Sequence, residues 1–358
     1  MKIVTIIGAR PQFIKAAVVS RAINVNRNVE EVIIHTGQHY DTNMSDIFFS
    51  EMDIPKPNYN LNINALSHGA MTGRMLENIE KVLMAEKPDW VLVYGDTDST
   101  LAGALAASKL HIKLAHVEAG LRSFNMDMPE EINRILTDRV SNVLFCPTLQ
   151  AVENLKNEGY NNFCCNIIHC GDVMYDAALY YRSKAVKPNI VVPEKFILCT
   201  IHRAENTDNV NNLNEIFSAL ETIAKDVPIL IPIHPRTKNI LLKNNYNFND
   251  SKIQFISPVG YFEMIWLITN SALVLTDSGG LQKEAYFFGK KCVTLRKQTE
   301  WVELIEHGCN VLVGTDFSKI IAGTNSMLAS HPDFSAKLYG DGQTGKKIID
   351  KLLEFNKP

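Results

Sequence analysis

The chain has 358 residues, of which 46% are hydrophobic and 21% charged, with a formal net charge of -3. That length supports two packed cores and is too great for one comfortable domain. The balanced charge leaves no electrostatic footprint for nucleic acid or an anionic membrane, so any anionic ligand must be met by a few placed groups.

The N-terminus "MKIVTIIGARPQ" is a short apolar, β-branched run closed by Gly8, too brief for a secretory signal, and predicts a first strand. Pro11 then stands at the start of a helix over "FIKAAVVSRAI". The alternation recurs in "VEEVIIHTG", "DWVLVYGDTDSTLAGALAASKL", "IKLAHVEAG" and "NVLFCPT". Continuous apolar strands alternating with helices predict a parallel sheet covered on both faces. After about residue 170 the rhythm starts again with "KFILCTIHR", "VPILIPIHP", "KIQFISP", "ALVLTDSGGLQKEAYFFG", "KCVTLR" and "NVLVG". The expected fold class is therefore α/β, with two doubly wound, Rossmann-like domains. The stretch "KAVKPNIVVPEK", 184 to 195, reads as a surface loop soon after the junction, and "GQTGKKIIDKLLEF" reads as a helix whose one apolar face must pack on something.

No run approaches 18 apolar residues, which excludes a membrane-spanning helix of the usual kind. The seven cysteines form no CxxC pair and no zinc-like spacing. They read as reduced, buried thiols of a cytoplasmic protein, and no metal site is expected.

Open parallel sheets bind ligands outside the C-terminal ends of their strands, so in a two-domain chain the cleft between the domains is the expected site. Nearly every strand ends in a chemically useful residue. In "TDSGGLQKEA", Ser278 can cap a helix, Gly279 and Gly280 let a ligand approach the backbone, and the free N–H groups and positive dipole make an anion site. Glu284, one turn further on, suits two vicinal ribose hydroxyls, and Arg296 ends the next strand. "GARPQFIKA" is neither GxGxxG nor a P-loop, which disfavours dinucleotide binding and triphosphate hydrolysis. Arg10 is its best phosphate or sugar contact. Lys15, taken alone, reads as a solvated surface lysine. "GDTDST" offers Asp96 and Asp98 before a helix that Ser99 or Thr100 can cap. "IHRAEN" places His202 beside Arg203 and Glu205, and "IHPRT" repeats the chemistry with His234 and Arg236. "HVEAGLRSFNMDMPEEINR" carries three carboxylates, Glu118, Glu130 and Glu131, in one short connection.

Taken together, "IIGARPQFIKAA", "TGQHYD", "VYGDTDSTLAGALAA", "HVEAGLR", "PEEINR", "IHRAEN", "TDSGGLQKEA" and "YGDG" resemble the non-hydrolysing UDP-N-acetylglucosamine 2-epimerase family, from the first strand to the last helix. The resemblance implies a GT-B arrangement of two Rossmann-like domains facing across a cleft. Residues 1–170 would carry the sugar site and catalytic carboxylates, residues 171–341 would bind UDP, and the helix in 342–358 would pack back on the first domain. It implies inversion of C2 of a UDP-2-acetamido sugar by elimination of UDP to a glycal and re-addition, with no cofactor and no metal, in a cytoplasmic homodimer serving bacterial surface polysaccharide synthesis. Carried over residue by residue, it puts Asp96, Glu118, Glu130, His202 and Lys15 in catalytic roles. The UDP contacts become Arg10, Ser278, Gly279, Gly280, Glu284, Arg296, Val259 and Met264. Glu131 is expected to pair with a neighbouring arginine or cap its helix, turned away from the cleft.

The chain also departs from the family pattern. Gln12 stands where a glutamate usually follows "RP", "KQTEWVE" replaces the usual "TTERPE" after Arg296, and Met264 replaces an aromatic near the uracil. Loss of an acid beside the sugar would suit a substrate carrying its own carboxylate, and the chain looks nearest the branch acting on UDP-2,3-diacetamido-2,3-dideoxy-glucuronate. An activator motif "QHR" reads Gln38, His39, Tyr40, without its arginine. A hydrolysing epimerase, a GT-B glycosyltransferase and a non-catalytic nucleotide-sugar sensor are the rival readings. Paired carboxylates in the first domain disfavour a transferase, which needs at most one base there.

Overall fold

The computed structural model describes residues 1–38 and 55–357. The strands are β1 (Lys2–Ile7), β2 (Glu30–His35), β3 (Tyr59–Asn60), β4 (Trp90–Tyr94), β5 (Lys113–Val117), β6 (Val143–Cys146), β7 (Asn166–His169), β8 (Ile197–Thr200), β9 (Ile229–Pro232), β10 (Gln254–Ile256), β11 (Leu273–Thr276), β12 (Cys292–Thr294) and β13 (Asn310–Leu312). Helices α1 (Arg10–Asn24), α2 (His68–Glu86), α3 (Asp98–Lys109), α4 (Pro129–Val140), α5 (Leu149–Asn157) and α6 (Val173–Tyr181) accompany the first set. Helices α7 (Ala204–Thr207), α8 (Val210–Ile223), α9 (Pro235–Lys243), α10 (Tyr261–Asn270), α11 (Gly279–Phe287), α12 (Val302–Glu306), α13 (Phe317–Ala329) and α14 (Thr344–Phe355) accompany or follow the second.

Among the described residues the strands form two sheets, ordered β3-β2-β1-β4-β5-β6-β7 and β10-β9-β8-β11-β12-β13. Every pairing is parallel. Each sheet starts in its middle, runs to one edge, then returns to fill the other half, which is the doubly wound order. The direction of winding reverses between β1 and β4 in one sheet and between β8 and β11 in the other. Two strands, β3 and β7, add to those the sequence suggests. Only two residues long in β3, and partly exposed throughout "NIIH" in β7, they lack the apolar run that marks the others.

The first core joins Val4 and Ile6 of β1, Ile34 of β2 and Val91 and Val93 of β4 to Met75, Ile79 and Leu83 of α2. The second joins Ile197, Cys199, Leu275 and Val293 to Leu213, Ile216 and Leu220 of α8. Each such side chain taken fully out of water contributes about 1.5–3 kcal/mol.

The compact units are Met1–Ala177 with Lys337–Pro358, and Ala178–Ala336. These limits lie beyond residue 170 and before residue 341, where the sequence placed the junctions. Local hydrogen bonds give the reason. Asp172 N–H donates to the Tyr339 carbonyl at 3.0 Å, and Gly345 N–H to Asp176 at 2.9 Å, so both crossing segments belong to the first unit. Gly345 also lets α14 lie on α1, because a Cβ there would come within 3.0 Å of the Val18 carbonyl oxygen.

All seven cysteines are free, but Cys164 is exposed and Cys165 half-buried. This corrects the expectation that all are buried, because the pair sits in a turn ahead of the partly exposed β7. No helix among the described residues is long and apolar enough to cross a membrane.

Candidate active site

In the first unit, the turns after β1, β4 and β5 meet at the winding reversal. Gly8 ends the apolar strand because a Cβ there would overlap the Thr36 and Ser99 hydroxyls. Arg10 opens α1. Gln12 is 1% exposed, and its side chain is fully committed. Its Oε1 accepts from Gly8 N–H at 2.8 Å and Ala9 N–H at 3.0 Å. Its Nε2 donates to the Tyr94 carbonyl and the Thr100 hydroxyl, each at 2.9 Å. The amide therefore ties the β1 turn to the end of β4 and does not face a ligand. Four internal bonds thus account for an amide at that position without reference to the substrate.

Lys15 is likewise not the solvated lysine its position suggested. It is buried, and its ammonium pairs with the Glu118 carboxylate. Glu118 takes a φ of 74° at the end of β5, a left-handed conformation that costs a residue with a Cβ free energy and recurs at functional positions. Gly95 has a φ of 64°, and a Cβ on it would stand 3.1 Å from Lys15 Nζ and 3.3 Å from Glu118 Oε2. Glycine leaves room for that ion pair.

Asp96 follows, with its carboxylate on Arg134 of α4. The cap of α3 is Thr97, which accepts from Thr100 N–H at 3.3 Å, in place of the Ser99 or Thr100 expected from the sequence. The helix starts at Asp98, so both lie inside its first turn. Asp98 binds His68 Nδ1 at 3.0 Å and Asn133 Nδ2 at 3.4 Å, and Asn133 also donates to the Asp96 carbonyl at 3.0 Å. Of the two vicinal glutamates in α4, Glu130 is exposed on the first turn. Glu131 is wholly buried, accepts from Ser123 N–H, Ser123 Oγ and Phe124 N–H, and pairs with Arg134 at 2.9 Å. The expected arginine partner is thus Arg134, which bridges Glu131 and Asp96. Gln38 accepts from Ser99 N–H at 3.0 Å. His39 and Tyr40 of that proposed activator motif lie outside the described residues.

In the second unit, Asp277 at the end of β11 organises the turns. Fully buried, it accepts from His202 N–H at 3.1 Å, Arg203 N–H at 3.0 Å and Asn206 Nδ2 at 3.1 Å. Its role shows only where the β8 and β11 turns pair. The His202 ring lies 3.7 Å from Asp277 and is nearly half exposed. Its pKa is lowered chiefly by the desolvating protein, with Arg203 and His234 acting in the same direction and Asp277 against them.

Ser278 caps α11, accepting from Leu281 N–H at 3.4 Å, and Gly279 and Gly280 are the first helical residues. The position of a Cβ on Gly279 would lie 3.6 Å from Glu300 Oε2, 3.8 Å from Arg203 Nη2 and 3.8 Å from Trp301 Nε1. Glu284 is buried in the second turn of α11. Arg296 is buried and bonded to Glu300 at 3.1 and 3.2 Å, with Glu205 at 3.6 Å. Burial raises the Glu300 carboxyl, but Arg296 outweighs it and holds the pKa below the usual value. Val259 precedes α10 and Met264 lies in its first turn, both half-buried. His234 and Arg236 are spent locally. His234 Nδ1 accepts from Arg236 N–H at 3.2 Å, and the Arg236 guanidinium holds Asp208 at 2.7 Å. Among the described residues no group of three or more His, Cys, Asp or Glu side chains could hold a metal ion.

Two doubly wound units with polar clusters at the strand ends where winding reverses define an α/β enzyme of the nucleotide-binding kind. A family model described as UDP-N-acetylglucosamine 2-epimerase matches residues 21–353. The chain is 56% identical over 357 residues to the UDP-2,3-diacetamido-2,3-dideoxy-D-glucuronate 2-epimerase of Pseudomonas aeruginosa, covering 99% of this chain and 100% of that protein. It is 44% identical over 372 residues to the UDP-N-acetylglucosamine 2-epimerase of Methanococcus maripaludis, covering 100% of each. The crystal structure of Methanocaldococcus jannaschii UDP-GlcNAc 2-epimerase in complex with UDP-GlcNAc and UDP matches at a TM-score of 0.89 and 45% identity, over 99% of this chain and 100% of that one. The chain belongs to the UDP-N-acetylglucosamine 2-epimerase family and is an isomerase of sugars.

Proposed function

We propose that the protein inverts C2 of UDP-2,3-diacetamido-2,3-dideoxy-glucuronate, or of UDP-N-acetylglucosamine, to give the manno epimer. The 56% identity to a relative named for the first sugar favours it over the second. The observation that carries the catalytic reading is Glu118, held in a strained left-handed backbone against the buried Lys15.

The C2 proton is not adjacent to a carbonyl and becomes acidic only as the bond from C1 to the diphosphate breaks. In the forward step a carboxylate takes that proton, the C2–H electrons form the C1=C2 bond, and the C1–O pair leaves with UDP. Return of UDP to C1 and of a proton to the opposite face of C2 closes the cycle with no net redox change. A single base would restore the starting epimer, so two acid–base groups are needed. Asp96, Glu118 and Glu130 in the first unit are the candidates, with Lys15 setting the charge at Glu118. The second unit binds UDP through Ser278, Gly279, Gly280, Glu284, Arg296, Val259 and Met264. His202 and the free N–H groups of α11 stabilise the charge that develops on the leaving group. The enzyme works as a cytoplasmic homodimer that supplies bacterial surface polysaccharide synthesis.

The test is incubation with each UDP-sugar in D2O, following C2 by NMR. A mixture of epimers with deuterium at C2 and little net UDP is expected. Stoichiometric free sugar would mark a hydrolysing enzyme, and no exchange with either sugar would refute the proposal.

A further inference from the structure

We propose that His116 is a positioning residue that, with Asp138, holds the Asp96 and Glu118 turns in fixed relation so that both carboxylates address one sugar ring; this rests on the proposed function. His116 lies in β5, with no solvent exposure. Its Nδ1 is 2.7 Å from Asp138 Oδ1 of α4, and its Nε2 is 2.7 Å from the Gly95 carbonyl oxygen. A carbonyl can only accept. Burial raises the Asp138 carboxyl, but His116 and Arg122 outweigh it and keep the group below its usual pKa, so Asp138 also accepts. Both ring nitrogens thus face buried oxygens, one on a helix side chain and one on the backbone of the β4 turn, and the ring is held at both ends.

The charges alternate outward from it. Arg122 bonds Asp138 at 2.7 Å and grips Glu158 with two bonds of 2.6 and 2.8 Å. Burying these polar and charged groups costs desolvation that a hydrophobic plug in β5 would avoid. The bonds that leave this chain show what it does. They end on the Gly95 carbonyl, the residue before Asp96, on Gly120 N–H at 3.1 Å, two residues after Glu118, and on the Leu121 carbonyl at 2.7 Å. Gly95, Glu118 and Gly120 have φ values of 64°, 74° and 79°. The two glycines take that backbone freely, but at Glu118 it persists only where its surroundings over-determine it. Gly95 N–H also donates to the Val117 carbonyl at 3.0 Å, closing the link between the two turns. Neither His116 nor Asp138 is assigned a place against the sugar, so their effect passes through Asp96 and Glu118. Misplacing a catalytic group by about 1 Å costs roughly 100-fold in rate.

The experiment compares steady-state epimerisation, UDP affinity and thermal unfolding of the wild type with those of His116→Gln and His116→Asn. The glutamine amide nitrogen reaches the Nε2 position and can donate to Gly95, whereas the asparagine nitrogen mimics Nδ1 and leaves Gly95 unheld. We expect His116→Asn to lose roughly 10- to 100-fold in kcat with KM and UDP affinity unchanged, and His116→Gln to stay within a few-fold of wild type. Equal losses in the two variants, a loss confined to KM, or an unchanged kcat in His116→Asn would overturn the proposal. If neither variant folds, Glu158→Gln at the half-exposed outer end decides: a several-fold lower kcat at constant KM supports the proposal, and an unaltered kcat refutes it. A wild type that epimerises no UDP-2-acetamido sugar would instead refute the function on which the proposal rests.

Discussion

Asp176 offers a measurable pH dependence of stability. It sits in α6 and accepts from Gly345 N–H at 2.9 Å, anchoring the start of α14 to the first unit. Burial raises its pKa from 3.8 to about 6, against the pull of the Gly345 amide and the Thr344 hydroxyl and amide. In the unfolded chain the carboxyl titrates near the lower value. The folded state thus binds the extra proton between about pH 4 and 6, and stability falls as pH rises through that window. The penalty is complete above it. A shift of about two units corresponds to about 3 kcal/mol, and Asp176→Asn removes it while keeping an oxygen for Gly345. Exchanging a charge-assisted bond for a neutral one returns about 1 kcal/mol of that, leaving a net gain of about 2 kcal/mol. At roughly 2–4 °C per kcal/mol for a unit of this size, the first unit of the variant should melt roughly 4–8 °C higher at pH 8. Urea midpoints of the two proteins from pH 8 down to 4 should converge as the wild-type carboxyl becomes neutral. A variant no more stable than wild type at pH 8, or a gain of the same size at pH 4, would refute this account of α14 anchoring.

Two further substitutions probe the carboxylate turns. Gly95→Ala places a Cβ against the Lys15–Glu118 pair in a left-handed backbone, costing about 1–2 kcal/mol in stability. Its kcat should fall at least about tenfold while calorimetry shows unchanged UDP affinity, and wild-type kcat would contradict the placement of that pair at the reacting centre. Glu131→Ala strips a buried carboxylate from Arg134 and from the Ser123 and Phe124 amides, and should cost about 3–5 kcal/mol in urea unfolding. A change below about 1 kcal/mol would show that Asp96 alone suffices to hold Arg134.

The sequence by itself determined the two parallel sheets, because apolar strands and the glycines that end them are local patterns repeated down the chain. It also marked where chemistry would collect, since a doubly wound sheet puts its ligand turns at strand ends, and "GDTDST", "HVEAG", "IHRAEN" and "TDSGG" all lie there. What those residues touch was decided by the tertiary structure. Lys15 and Glu118 are 103 residues apart in sequence, and nothing near either in the chain shows that the lysine is buried. Gln12 reads in the sequence as a change in the substrate's surroundings, and only the fold shows its four internal bonds. Asp138, inside the helical "LTDRV", has the pattern of a surface charge, and only the packing of α4 against β5 turns it onto His116. Local periodicity fixes which face of an element is buried. The pairing of buried charges depends on which faces meet, and that is a property of the assembled sheet.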